Sequence, residues 1–477
     1  MKSTTPASFY SLLETKFPHT PTTTQSVALQ KLAEFTLSTV KDEVFLLKGY
    51  AGTGKTTLIG TLVNSLWKVQ KKAVLMAPTG RAAKVMSNYS NTQAFTIHRK
   101  IYFPKKQSGG GVQFVLAPNK HRDTLFIVDE ASMIPDTAAD SKLFENGSLL
   151  DDLMMFVYSG HKCKLLLIGD TAQLPPVHLV LSPALDADKL SLNYNKEVIR
   201  LELDEVVRQA GDSGILANAT LLREQLQGDF FDDFKFDVSP FTDIVRLIDG
   251  NEIQEAIDSS YSENGKEETA FIVRSNKRAN LYNQNIRERI LFLENDIAVG
   301  DFMMVVKNNY YWLKPSSEAG FIANGDIMEI LEIFDIKEIY TFKFAEVKVK
   351  MVDYPNMAPF ETVLLLDTIV AESPSLSYED GNRLYQEVMK DFAHESSKYK
   401  KFLGVKNNKY FNGLQVKFSY AITCHKSQGG QWNTVFVEQP YLPNGIDKEY
   451  LRWLYTAVTR AKNKLYLIGF KDDFFLD

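Results

Sequence analysis

Residues 49–56, GYAGTGKT, place three glycines, a lysine and two threonines between an apolar run and a helix-forming one. The spacing fits G-x-x-x-x-G-K-[ST], in which small residues let backbone N–H groups face a phosphate anion. Lys55 supplies a point charge for the terminal phosphates, and the Thr56 hydroxyl is a hard ligand suited to Mg²⁺. The pattern predicts a nucleotide-binding loop made of Gly49, Tyr50, Ala51, Gly52, Thr53, Gly54, Lys55, Thr56 and Thr57.

Two adjacent carboxylates, Asp129 and Glu130, end the apolar run LFIVDE. Beside a phosphate loop, one carboxylate can hold Mg²⁺ while the other polarises the attacking water. We assign the metal role to Asp129 and the role of catalytic base to Glu130. An acidic N-cap of the following helix is the alternative for this pair.

Three further polar side chains have the chemistry for phosphoryl transfer. Gln173, in GDTAQLPPV, carries an amide that can donate and accept, so it can contact the γ-phosphate or its water. Arg208 and Arg460 have planar donor forks that suit the charge developing in the transition state. If both arginines face the nucleotide, it lies between two domains. A surface salt bridge is the alternative for each arginine.

Short apolar runs alternate with helical patterns from about residue 44 to residue 169. Continuously apolar strands that alternate with helices predict a parallel sheet covered on both faces. Ligands of such sheets bind at the carboxyl ends of the strands. The four predicted strands end in GYAGTGKT, PTGRAA, DEAS and GDTAQLPP, so we expect the candidate residues along one edge.

A second block of the same kind is predicted around the apolar runs at 269–276 and 418–470. Between its halves, aromatic and β-branched alternation predicts an inserted β-barrel or sheet, followed by a lysine-rich helical protrusion. Residues 101–120 predict a β-hairpin around QSGGG in the first block. The predicted class is α/β. Its boundaries are 1–100 and 121–200 for the first sheet domain, 101–120 for the hairpin, 201–298 and 411–477 for the second sheet domain, and 299–410 for the barrel with its protrusion.

The composition constrains the partners only weakly. Lys and Arg number 54 against 59 Asp and Glu, so the formal charge of −5 gives no electrostatic argument for a nucleic-acid partner. Cys163 and Cys424 are far apart and form no metal-ligand spacing. There is no apolar run of about 18 residues and no secretory signal pattern. We therefore expect a soluble, cytoplasmic, monomeric protein without membrane association.

The ordered set of motifs resembles the superfamily 1 helicases over most of the chain. The motifs are GYAGTGKT, APTGRAAKVM, FTIHRKIY, LFIVDEASM, LLLIGDTAQLPPV, EVVRQ, ITCHKSQGGQW and YTAVTRAK. TIH before a hairpin, CHKSQG and the inserted barrel narrow the resemblance to the RecD-like and Dda-like branch. The resemblance implies two tandem RecA-like motor domains, an SH3-like barrel, ATP and Mg²⁺ as cofactors, and 5′→3′ DNA helicase activity on single strands and duplex junctions.

The same resemblance implies roles for individual residues. Gln25 matches an adenine-reading glutamine, and the hairpin matches a pin that parts the duplex, with Phe103 or Phe114 as stacking residues. Gln431 stands where the family pattern usually has an acidic residue. The residues that match strand-gripping segments are Pro78, Thr79, Gly80, Thr96, His98, Asn276, Lys277, Thr423, His425, Lys426 and Ser427. Such hydroxyls, imidazoles and backbone amides suit phosphate contacts without sequence readout.

Two other functions stay open at this level. An RNA helicase or RNA–protein remodeller would use the same motifs, because phosphate contacts hardly distinguish the sugars. The other is a nucleotide-gated scaffold that binds nucleic acid or a protein without unwinding. The complete set of catalytic side chains counts against a scaffold: Lys55, Asp129, Glu130, Arg208 and Arg460. Single-strand-binding proteins and proteins of DNA replication, recombination or repair are the expected protein partners.

Overall fold

The computed structural model describes residues 5–106, 112–135, 148–206, 213–228, 230–231, 233–314, 317–443 and 445–476. Its helices are α1 Pro6–Lys16, α2 Thr23–Leu37, α3 Lys55–Ser65, α4 Gly80–Ser90, α5 Ile97–Ile101, α6 Leu149–Ser159, α7 Ala187–Tyr194, α8 Gly214–Gln227, α9 Gly250–Asn264, α10 Asn276–Asn285, α11 Asp367–Val370, α12 Tyr378–Lys390, α13 Lys398–Lys406, α14 Cys424–Ser427 and α15 Lys448–Val458. Its strands are β1 Glu43–Gly49, β2 Lys72–Ala77, β3 Ala94–Thr96, β4 Tyr102–Lys106, β5 Val112–Leu116, β6 Thr124–Val128, β7 Lys164–Gly169, β8 Glu197–Leu203, β9 Ile244–Leu247, β10 Thr269–Val273, β11 Phe302–Val305, β12 Ile327–Ile339, β13 Phe342–Met351, β14 Phe360–Leu365, β15 Leu414–Phe418, β16 Ala421–Thr423, β17 Trp432–Glu438 and β18 Ala461–Ile468.

The first sheet is parallel, with the strand order β3-β2-β6-β7-β1-β8. Successive side chains of β1 point to opposite faces, and both faces are buried. Phe45 and Leu47 pack with α1, α2 and α3, whereas Val44 and Leu46 pack with α6 on the other side. This explains why the strand is continuously apolar rather than alternating.

The second sheet is also parallel, with the strand order β16-β10-β17-β18-β9. Its core is continuous with the core of the barrel. In β10, Phe271 stacks on Phe436 of β17 with the ring centroids 4.4 Å apart. In a parallel sheet the carboxyl ends of all strands lie at one edge. Each of the two sheets can therefore present the loops that follow its strands to a cleft.

A closed barrel of β11, β12, β13, β14 and β15 interrupts the second sheet domain. The helices α12 and α13 cover one side of it, where Leu384 and Val405 pack with Phe344 and Leu365. The lysine-rich segment is therefore an amphipathic helical pair that buries an apolar face against the barrel. In the first domain, β4 and β5 form the predicted antiparallel hairpin. Its tip, 107–111, lies outside the described residues.

A buried ion pair joins the barrel to the second sheet domain. Arg287 lies in the π-helical turn Ile286–Ile290 that continues α10, and its Nε and Nη2 each donate to Asp301 across 3.0 Å. The Tyr420 hydroxyl donates to the same carboxylate across 2.9 Å. Asp301 immediately precedes β11, where the chain enters the barrel, and Tyr420 follows β15, where the chain leaves it. The cluster therefore joins the entry and the exit of the inserted barrel.

The predicted α/β class, with two parallel-sheet domains and an inserted barrel, is confirmed. The strand β8 crosses the predicted boundary at 200 and belongs to the first sheet, and β15 lies wholly beyond the predicted boundary at 410 but belongs to the barrel. No helix among the described residues is long and apolar enough to cross a membrane.

Candidate functional site

The loop between β1 and α3 has a backbone that only small residues can adopt. Gly52 and Gly54 have φ angles of +76° and +83°, a region that disfavours residues with a Cβ. A Cβ on Gly49 would lie 3.0 Å from Thr53 Oγ1, so Gly49 also has no room for a side chain. The helix α3 begins at Lys55 without a side-chain cap, which leaves its N-terminal N–H groups available to an anion. This cradle fits a phosphate group.

Lys55 and Gln25 both contact this loop. The Lys55 ammonium donates to the carbonyl oxygens of Gly49 and Tyr50, across 2.5 and 2.7 Å. Gln25 is buried near the start of α2, where its Oε1 accepts the Thr22 N–H and its Nε2 donates to Thr53 O across 2.9 Å. Gln25 therefore supports the loop backbone, a role that the motif resemblance did not imply.

The two predicted acids follow β6 directly. Glu130 has the left-handed φ of +54°, and its N–H donates to Asp129 Oδ1 across 2.8 Å. Asp129 Oδ2 accepts a hydrogen bond of 2.8 Å from the hydroxyl of Tyr89, a residue without a sequence-based assignment. Tyr89 and Thr56 line the same cleft along α3. The two predicted metal ligands, Thr56 and Asp129, therefore both adjoin Tyr89.

No group of three His, Cys, Asp or Glu residues within the described ranges is arranged to hold a metal ion. Mg²⁺ at a nucleotide site needs fewer protein ligands, because it keeps several waters and binds substrate phosphates. One hydroxyl and one carboxylate, from Thr56 and Asp129, are therefore a sufficient protein contribution. The donor set fits this cation.

Burial raises the pKa of Glu130 to about 7. The charge of Arg460 lowers that pKa, Asp129 raises it, and Lys55 and Asp170 have smaller opposing effects. These interactions show that charged residues from both sheet domains surround Glu130. A carboxylate with a pKa near the operating pH is well suited to accept a proton from water.

The helix α15 of the second sheet domain is hydrogen-bonded to the strand ends of the first. The Tyr455 hydroxyl accepts the N–H of Ala51 across 2.9 Å and donates to Asp170 Oδ2 across 2.7 Å. At the next residue of α15, the Thr456 hydroxyl accepts the Leu174 N–H across 2.9 Å. The phosphate loop and the loop after β7 are thus connected to α15 through side chains that motif spacing did not single out.

Arg460 is 3% exposed and follows α15 by two residues. Its guanidinium donates to Thr456 O across 3.0 Å, and to Gly430 O and Thr459 Oγ1 across 3.2 Å. These acceptors are two carbonyl oxygens and a hydroxyl, none of which carries a negative charge. They therefore do not neutralise the guanidinium, whose positive charge can act on the cleft.

Gln173 and Arg208 complete the predicted catalytic set. Gln173 is 7% exposed, and its Oε1 accepts no hydrogen bond within the part of the chain that the structure describes. A buried amide oxygen without a donor is costly, which is typical of a group arranged for a ligand. Arg208 lies outside the described residues. Gln431 lines a cleft together with Thr56 and Arg81, so this position does face the nucleotide side.

The predicted strand-gripping residues of the first domain lie at the carboxyl ends of β2 and β3. The hydroxyls of Thr79 and Thr96 cap α4 and α5 by accepting the N–H groups of Ala82 and Arg99. Because each hydroxyl accepts from the helix, its own proton remains free for a phosphate oxygen. Burial lowers the pKa of His98 to about 4, so its imidazole is neutral at neutral pH and contributes no charge to such a contact.

The corresponding residues of the second domain follow β16 and β10. Thr423 ends β16 and is followed by His425, Lys426 and Ser427 in α14. Lys426 donates to Asn324 Oδ1 of the inserted domain, and burial lowers the pKa of Lys426 to about 8. Asn276 begins α10. Its neighbour Lys277 forms an exposed ion pair of 3.2 Å with Glu372.

The two aromatic candidates on the hairpin differ in exposure. Phe103 is 42% exposed, whereas Phe114 is 8% exposed and packs on Tyr310 and Phe321, with centroid distances of 4.7 and 6.0 Å. Near the base of the hairpin, Arg99 donates to the Ser317 carbonyl. The segment before β12 thus supports the hairpin, and of the two aromatic candidates Phe103 has the exposed ring.

Two family models match this chain. A AAA domain model covers residues 33–179, which contain the phosphate loop and both acids. A UvrD-like helicase C-terminal domain model covers residues 418–468, from the last residue of β15 to the end of β18. The fold and the site therefore define a nucleotide-dependent protein whose two parallel-sheet domains contribute to one cleft.

Relatives extend this likeness over most of the chain. An uncharacterised protein of Acanthamoeba polyphaga mimivirus is 24% identical over 93% of this chain and 98% of its own length. The ATP-dependent DNA helicase dda of Enterobacteria phage T4 is 26% identical over 88% of this chain and 93% of its own length. The ATP-dependent RecD2 DNA helicase of Deinococcus radiodurans is 31% identical over 36% of this chain and 21% of its own length.

Among solved structures, one describing DNA unwinding at forked duplex DNA by two coordinating Pif1 helicases matches with a TM-score of 0.48 and 16% identity, covering 96% of this chain and 94% of that one. The two family models and these relatives support the predicted family, the superfamily 1 helicases of the RecD-like and Dda-like branch. They indicate an ATP-hydrolysing helicase as the enzyme class.

Proposed function

We propose that this protein is an ATP-dependent DNA helicase that moves 5′→3′ along a single strand and unwinds duplex DNA ahead of it. The observation that carries the proposal is the Ala51–Tyr455–Asp170 connection, with bonds of 2.9 and 2.7 Å between the phosphate loop, α15 and the loop after β7. Because these groups belong to both sheet domains, a change at the nucleotide alters the contact between them.

The nucleotide is ATP with Mg²⁺ in this proposal. The N-terminal N–H groups of α3 and Lys55 would hold the phosphates, and Thr56 and Asp129 would hold the cation. When bound, Mg²⁺ neutralises charge on the phosphate oxygens. Gln25 stabilises the phosphate loop, because its Nε2 donates a hydrogen bond of 2.9 Å to Thr53 O.

The protein's own residues then carry out the proton transfer and charge stabilisation. Glu130 accepts a proton from the attacking water, for which its pKa of about 7 is well matched. Arg460, which has only neutral acceptors among its hydrogen bonds, stabilises the charge developing in the transition state. Gln173 has a buried and unpaired Oε1 with which it can orient the water.

The nucleic-acid strand would cross the carboxyl ends of both sheets. Thr79 and Thr96 in the first domain and Lys426 in the second supply donors for phosphates. Asn324 of the inserted domain, which contacts Lys426, extends this path. The hairpin stands beside it with Phe103 exposed to a base at the junction.

An unwinding assay on partial duplexes tests the proposal. With ATP and Mg²⁺, a duplex carrying a 5′ overhang is expected to be separated, and the same duplex with a 3′ overhang is not. ATPase rates with DNA and RNA oligonucleotides distinguish a DNA helicase from an RNA remodeller. Nucleotide-dependent binding without unwinding on either substrate would instead indicate the scaffold function.

A further inference from the structure

Tyr89 belongs to the nucleotide cleft, yet no motif assigns it a role. It lies one residue before the end of α4, and its hydroxyl donates to Asp129 Oδ2 across 2.8 Å. The helices α3 and α4 approach closely there, since a Cβ on Gly60 would lie 3.1 Å from the carbonyl oxygen of Tyr89. Gly60 therefore lets the end of α4 rest on α3, which brings the Tyr89 ring to the carboxylate.

The Tyr89 hydroxyl completes a pair of donors on Asp129. Oδ1 accepts the Glu130 N–H and Oδ2 accepts the Tyr89 O–H, each across 2.8 Å. A carboxylate oxygen has two lone-pair directions, so both oxygens keep one for a cation. A tyrosine hydroxyl is a protonated donor at neutral pH.

Tyr89 also adjoins Thr56. The two residues line the cleft along α3, and both also line the neighbouring cleft that contains Arg81 and Gln431. Tyr89 thus holds the carboxylate ligand by a hydrogen bond and lines the same clefts as the hydroxyl ligand. The arrangement resembles the outer-sphere hydrogen bonds that orient metal ligands elsewhere.

We propose that Tyr89 is a positioning residue for the metal–nucleotide complex, because its hydroxyl fixes the direction in which Asp129 presents its carboxylate to the cation. This inference rests on the proposed function, in which Thr56 and Asp129 hold Mg²⁺. A carboxylate held by two donors loses less rotational freedom when the cation binds than one held by a single donor. Removal of the hydroxyl is therefore expected to weaken metal binding without altering the phosphate cradle.

The test compares Tyr89→Phe with the wild type and with Tyr158→Phe. Tyr158 lies in α6 of the first domain, and its hydroxyl donates to the Glu43 carbonyl across 2.6 Å. It is a matched control because Tyr158→Phe also removes one tyrosine hydroxyl and its hydrogen bond. Mn²⁺ replaces Mg²⁺, and its dissociation constant is measured by electron paramagnetic resonance at saturating concentration of a non-hydrolysable ATP analogue. The affinity for a fluorescent ATP analogue in EDTA is measured in parallel.

In Tyr89→Phe, Mn²⁺ is expected to bind about tenfold more weakly, while nucleotide affinity in EDTA stays at the wild-type value. Tyr158→Phe should match the wild type in both measurements. Wild-type Mn²⁺ affinity in Tyr89→Phe overturns the inference, and so does an equal loss of metal and metal-free nucleotide binding, which indicates a general structural role. If the wild-type protein itself binds no Mn²⁺ with the nucleotide, the proposed function fails and not only the role of Tyr89.

Discussion

Lys55 is the residue whose removal should separate folding from turnover. Within the described part of the chain, its ammonium donates to two backbone carbonyls of its own loop, at Gly49 and Tyr50. Lys55→Ala removes a phosphate-binding charge and no core contact, so we expect at least about 10²-fold slower ATP hydrolysis with an unchanged melting temperature. The control is Lys41→Ala, since Lys41 is an exposed lysine that precedes β1 and lies outside the phosphate loop. A wild-type rate of ATP hydrolysis in Lys55→Ala would contradict the assignment of residues 49–57 as the phosphate-binding loop.

Glu130 gives a prediction about pH. Its folded-state pKa is raised to about 7. The ionised form that accepts a proton is therefore lost as the pH falls through that value. The wild-type rate of ATP hydrolysis is expected to rise between about pH 6 and pH 8 and then level off.

Glu130→Gln is expected to lower the rate by about 10²–10⁴-fold and to remove this pH dependence, because an amide cannot take the proton. Nucleotide affinity, measured with a fluorescent analogue, should be retained. A variant that keeps both the rate and the pH profile would show that the base is another residue.

At the scale of elements, we expect the hairpin to act separately from the nucleotide cleft. Phe103 is 42% exposed, so Phe103→Ala leaves the packing of Phe114 on Tyr310 intact. We expect this variant to keep DNA-stimulated ATP hydrolysis but to unwind a 5′-tailed duplex several-fold more slowly, since a stacked base contributes about 1–3 kcal/mol. Replacing residues 104–113 by a Gly-Ser turn should give a larger loss of unwinding.

A suitable control for the hairpin variants is Phe334→Ala, because Phe334 is similarly exposed on β12. If the shortened hairpin unwinds as fast as the wild type, the hairpin does not part the strands. The hairpin packs on the inserted domain through Phe114, which contacts Tyr310 and Phe321.

The barrel is joined to the second sheet domain through a buried pair, and this gives a stability prediction. The side chain of Asp301 is fully buried and that of Arg287 is 7% exposed. Asp301→Asn leaves the guanidinium buried without its counter-charge, which should lower the free energy of unfolding by about 3–5 kcal/mol in urea. Asp472→Asn is the control, because its pair with Arg246 is on the surface and is expected to contribute at most about 1 kcal/mol. Equal effects would contradict the anchoring role.

At the scale of the whole molecule, the net charge of −5 is not expected to decide nucleic-acid binding, because the proposed phosphate contacts come from a few local residues. Affinity for a single strand is expected to fall steeply with salt and to vary little with base sequence. Lys426→Ala should reduce the slope of log affinity against log salt by about 0.7, the value for one phosphate contact on a single strand. Lys398→Ala, at the start of α13, should leave the slope unchanged. Fluorescence anisotropy at several salt concentrations measures both.

The sequence by itself determined the phosphate loop, the paired acids and the alternation of strands and helices. These are local properties: the spacing of Gly49, Gly54 and Lys55 fixes a loop geometry, and continuous apolar runs fix buried strands such as β1. The order of the motifs added the family, and the inserted barrel followed from its alternating pattern. Each of these features depends on neighbours within a few residues along the chain.

Tertiary structure decided which distant side chains meet. Tyr455 reaches Ala51 and Asp170, and Tyr89 reaches Asp129, across separations for which the sequence has no periodic signal. The different exposure of Phe103 and Phe114 was equally hidden, because it depends on the rings of the inserted domain that cover one of them. Hydrogen bonds and burial between elements depend on how helices and strands pack in space, and a local pattern contains no information about that packing.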